Sequence, residues 1–77
     1  EPTNAEIYHL WGVLLLQQGN AAEALIPLEK AVFLAPKEIP YQVNLASALQ
    51  AVGKIDKAIE LLTRLSILVQ KPEIFFN

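Results

Sequence analysis

Residues 5–38, AEIYHLWGVLLLQQGNAAEALIPLEKAVFLAPKE, are followed at residues 39–72 by IPYQVNLASALQAVGKIDKAIELLTRLSILVQKP, and the second stretch repeats the punctuation of the first. A shift of 34 residues lays Leu15 on Leu49, Gly19 on Gly53, Ala24 on Ala58, Leu28 on Leu62 and Leu34 on Leu68, with Pro2 on Pro36 ahead of them. A period of about 20 to 50 residues marks stacked units, each too thin to bury its own apolar face. What such a chain does, it does with surfaces.

Spacing and punctuation predict four helices. From Ala5 to Gln18 the apolar residues Ile7, Leu10, Trp11, Leu14 and Leu15 recur at three- and four-residue steps, one stripe of a helix. Thr3 or Asn4 caps its start, and Gly19 takes the left-handed conformation that ends it. Asn20 is expected to cap a second helix, with Glu23 in the capping-box position and Ala24, Leu25, Leu28, Ala31, Val32 and Leu34 on the apolar side, until Pro36 stops it. Glu38 or Ile39 opens a third helix with Pro40 in its first turn; Val43, Leu45, Ala46, Leu49 and Val52 follow as far as Gly53. The fourth runs from about Ile55 to Val69 on Ala58, Ile59, Leu62, Leu65 and Leu68. The short Gly19-Asn20 and Gly53-Lys54 connections fold each pair back as an antiparallel hairpin. Pro27 interrupts the scheme, because it lacks an N–H and clashes with the carbonyl of Glu23; a kink there or a late helix start is expected.

The residues at these positions resemble the tetratricopeptide repeat, a 34-residue helix-turn-helix. Counting from Ala5, the first unit answers the pattern with Tyr8, Trp11-Gly12, Leu15, Ala24, Leu28, Ala31 and Pro36. The second, from Ile39, offers Leu45-Ala46, Leu49, Ala58 and Leu62, but places Gln42 where a bulky residue is usual, Leu65 for the second alanine and Gln70 for the proline. Gly12 against Ala24, and Ala46 against Ala58, are the expected close approaches, since larger side chains would push the helix axes past the usual ~8–10 Å. The resemblance implies an all-α fold of antiparallel helix hairpins, stacked as a short right-handed α-solenoid. Its units are residues 5–38 and 39–72, with residues 73–77, including Phe75-Phe76, as the start of a further helix cut short.

In that family the first helix of each unit lines an inner groove where peptides or helices of partners dock. The resemblance therefore places Glu6, His9, Val13, Leu16 and Gln17 from the first unit, and Val43, Ser47, Gln50 and Ala51 from the second, in a partner-binding groove. Val13, Leu16 and Val43 would hold an apolar anchor, and His9, Gln17, Ser47 and Gln50 would bond a peptide backbone. The family's carboxylate clamp needs Lys and Asn one turn apart in the first unit. This chain has His9 and Val13 there, which speaks against chaperone C-termini as partners.

Other functions find little footing. Of 77 residues 53% are hydrophobic, and the net charge is -2. The six basic residues are scattered among acids, so the clustered basic face that nucleic acid requires is missing. Residues 1–38 carry five acids and two bases, residues 39–77 three acids and four bases, a -3 to +1 asymmetry that suits head-to-tail stacking. The apolar run Leu10 to Leu16 falls far short of the roughly 20 residues of a membrane span, so no membrane insertion is expected. The chain opens on Glu1 rather than Met, which reads as a piece of a longer one. It has no cysteine and a single histidine, His9, with only Glu6 near it in sequence, so neither metal nor cofactor is expected. Tyr8, Trp11 and Tyr41 read as packing residues, and Glu23 and Lys57 as solvent-facing charges. No nucleophile elbow, phosphate loop or acid pair is present, so the chain reads as a non-enzyme.

Two roles remain. One is docking of a protein or peptide in the groove. The other is self-association into a homo-oligomer through the terminal helices, by Leu61, Leu65 and Leu68 together with Ile74, Phe75 and Phe76. Neither role indicates a compartment.

Overall fold

The structure, a computed structural model, describes residues 3–69, with side chains as far as residue 67. Four helices follow one another: α1 (Asn4–Gln17), α2 (Ala21–Leu34), α3 (Ile39–Ala51) and α4 (Ile55–Val69). The described residues hold no strand, and the all-α expectation stands. Gln70, Pro72 and the stub with Phe75-Phe76 lie outside the described residues, as does the side chain of Leu68.

Each helix boundary has a local cause. At the start of α1 the Thr3 backbone is extended, and its hydroxyl accepts a 3.0 Å hydrogen bond from the Glu6 N–H. At its end the Asn20 N–H reaches back to the Leu15 carbonyl and the Gly19 N–H to that of Leu16, with Gly19 at φ 82°. This is the Schellman arrangement, and it recurs one period later: Lys54 N–H to Leu49, Gly53 N–H to Gln50, Gly53 at φ 89°. Both hairpins thus turn by one device. Pro40 sits in the first turn of α3, where its missing N–H leaves no bond unmade.

One expectation needs correction here. The Asn20 side chain makes no capping bond. Asn20 is also the residue whose N–H closes α1, and its ψ of 60° departs from the extended geometry that lets Thr3 cap, so the Asn20 amide does not reach the α2 amides. Of the two outcomes expected at Pro27, the late start does not occur: α2 runs from Ala21 through Pro27 to Leu34. Pro27 and Leu28 are the largest fully buried side chains, and burial of the ring offsets the bond it cannot make. Gly12 is buried against α2 as expected, and the atoms nearest to a Cβ built there belong to Leu28. That Cβ would overlap the Leu28 isobutyl group, which has no exposed surface.

The core is one cluster shared by both hairpins: Ala24, Leu28, Leu45, Ala46, Ala48, Leu49 and Ala58, with Leu15, Leu16, Leu25, Val32 and Leu61 packed against it. Packing runs α1 on α2, α2 on α3 and α3 on α4. In addition α1 touches α3, whereas α2 and α4 do not meet among the described residues. The hairpins are therefore drawn together on the α1/α3 side and apart on the α2/α4 side, which makes the α1/α3 surface the inner one.

Candidate functional site

At the seam where α1 meets α3, three side chains join the hairpins. The His9 ring stacks on that of Tyr41, centroids 4.3 Å apart and planes inclined by 26°. The His9 Nε2 lies 2.7 Å from the Asn44 side-chain nitrogen. With the Asn44 amide donating, Nε2 is the acceptor and the imidazole is neutral, its proton on Nδ1. Partial burial agrees, drawing the His9 pKa below its ordinary value against the opposing pull of the Glu6 carboxylate. The Tyr41 hydroxyl is shifted upward, first by desolvation and then by the carboxylates of Glu6 and Glu38. The seam is thus a neutral, hydrogen-bonded aromatic pair with acidic neighbours.

The predicted groove residues distribute around this seam. Glu6, His9, Val13, Leu16 and Gln17 follow one face of α1 at three- and four-residue steps, with Glu6 and Gln17 exposed and His9, Val13 and Leu16 half-buried. Val43, Ser47, Gln50 and Ala51 follow α3 and are all exposed. Leu16 also packs against the core cluster, so part of its side chain belongs to the fold. His9 makes a hydrogen bond and a ring stack from α1 to α3, and its partners are Asn44 and Tyr41, neither of which the sequence reading placed in the groove. A signal was present: the 34-residue shift lays His9 on Val43, and Asn44 is the residue beside it.

Gln42, where the repeat pattern has a bulky residue, is the one buried polar side chain among the described residues, and its Nε2 donates to the Pro36 carbonyl in the connection between the hairpins. It ties α3 to the end of the preceding unit. Trp11 does not pack as expected. It is 51% exposed, as are its neighbours on the same stripe to a similar degree, because the face α1 buries carries the small residues Ala5 and Gly12 with Leu15 and Leu16 beside them. Among the described residues no group of three or more His, Asp or Glu could hold a metal ion, and no helix is long and apolar enough to cross a membrane.

These features define a helical-repeat module with an inner, mixed polar and apolar face. No family model matches the chain, and no solved structure matches it. Over 60 residues, 78% of its length, the chain is 33% identical to the TPR repeat-containing thioredoxin TTL4 of Arabidopsis thaliana. It spans 9% of that relative.

Proposed function

We propose that the chain is a pair of tetratricopeptide units serving as a non-catalytic protein-interaction module, which binds an extended peptide or a helix of a partner protein along the α1/α3 face. The observation that carries this reading is the His9–Tyr41–Asn44 junction, which holds the first helices of both hairpins side by side and so presents their exposed residues as one surface. Val13 and Val43 are apolar anchors on either side of that junction, and Gln17, Ser47 and Gln50 offer donors and acceptors to a peptide backbone. The relative's printed name, which contains the repeat, supports the same class.

Selection from a displayed peptide library, followed by titration of the selected peptides, tests this. Val13→Glu and Val43→Glu are expected to weaken binding by at least tenfold each, while Phe33→Asp, on the exposed side of α2, leaves it unchanged. Indifference to both valine changes, or equal sensitivity to Phe33→Asp, would remove the groove as the site.

A further inference from the structure

The 34-residue register pairs the exposed stripes on α1 and α4 with surfaces that are covered within the chain. On α1 the residues Ile7, Leu10, Trp11 and Leu14 form a stripe at i, i+3, i+4 and i+7, and they are 51, 56, 51 and 52% exposed. Their counterparts on α3 are Tyr41, Asn44, Leu45 and Ala48. There the first two are half-buried, and Leu45 and Ala48 fall to 9% and 0%, because the preceding hairpin packs on them. The complementary surface repeats as well. On α2 the stripe Ala21, Leu25, Leu28 and Val32 is buried or half-buried, with α3 packed on the helix. Its equivalents on α4 are Ile55, Ile59, Leu62 and Ser66; the three apolar ones are exposed at 44, 57 and 44%, and the exposed Ser66 gives the stripe a polar end. The stripe on α1 lies roughly a third of a turn around the helix from the groove residues, at 3.6 residues per turn, so this surface is separate from the groove.

We propose that a second copy of this chain covers these faces head to tail, with the Ile55/Ile59/Leu62 stripe on α4 of one copy seated on the Ile7/Leu10/Trp11/Leu14 stripe on α1 of the next, as α2 seats on α3 within a copy. The halves carry opposite net charge, -3 for residues 1–38 and +1 for 39–77, which favours head-to-tail over head-to-head pairing. Trp11 in place of Leu45 and Leu14 in place of Ala48 set the α4–α1 axes wider than α2–α3. The self-association residues expected on α4 need correction: Leu65 is buried and Leu61 packs on the core, so neither is free to meet a second copy. Such a contact is heterologous and leaves a free face at each end, so assembly continues past the dimer.

Sedimentation velocity over a concentration series tests it, with Trp11, the sole tryptophan, as a second readout: its emission is expected to move to shorter wavelength as the sedimenting mass rises beyond a dimer. Leu14→Glu disables one face and Ile59→Glu the other. Each variant alone is expected to stay monomeric, with association weakened by at least tenfold. An equimolar mixture of the two is expected to form a dimer that grows no further, because one good face of each kind remains. Circular dichroism establishes that each variant is folded, and Leu10→Glu replaces Leu14→Glu if that variant is not. A wild-type chain that stays monomeric across the series, or a mixture of folded variants that fails to pair, would overturn the proposal.

Discussion

Gly12 is where a single hydrogen atom sets the distance between α1 and α2. Any side chain there meets Leu28, which is wholly buried and belongs to the shared core. Gly12→Ala is therefore expected to destabilise the fold by about 1–3 kcal/mol, the usual range for forcing an extra methyl into a packed site, despite the better helix propensity of alanine. Chemical denaturation checks it, and a stability equal to or above wild type would show that Leu28 has room to move. Gly12 was legible in the sequence as a close-approach position, but the side chain nearest to it was not. Ala24 and Leu28 lie one turn apart on the same face of α2, and periodicity alone cannot say which of them meets the glycine.

At the scale of the element, one mechanism closes both hairpins and a different one opens each helix. The Schellman turns at Gly19 and Gly53 were readable from glycine at helix length. The caps were readable only in part, because a capping side chain works only if its backbone is extended. Thr3 meets that condition and Asn20 does not. Thr3→Ala is accordingly expected to lower stability by about 1 kcal/mol, and Asn20→Ala by less than about half of that. Thermal melts of both variants check the contrast, and equal losses would contradict it. The apolar stripe of α1 misled for a related reason. Its large residues face outward and its small ones inward, so hydrophobic bulk marked the exposed side.

Over the whole molecule, the core cluster joins residues of both hairpins. Leu49 sits in that cluster. Leu49→Ala is expected to remove about 2–5 kcal/mol, the range for truncating a buried leucine, and to lower the stability of both hairpins together in a single transition. Loss of helical signal in two steps would mean the hairpins fold independently. The repeat made this architecture legible, because a doubled pattern tests itself. The site was legible only as a face: the resemblance supplied positions on α1 and α3, whereas the His9–Tyr41–Asn44 junction depends on how two helices 35 residues apart in sequence come to lie together.

The missing contact between α2 and α4 has a mechanical consequence. Prising the inner face open would tear His9 from Asn44 and unstack Tyr41, and forcing it shut would drive rings already 4.3 Å apart into each other. With no brace between α2 and α4 among the described residues, the angle between the hairpins is held by the α2/α3 packing and by this seam, which resists flexing in either sense.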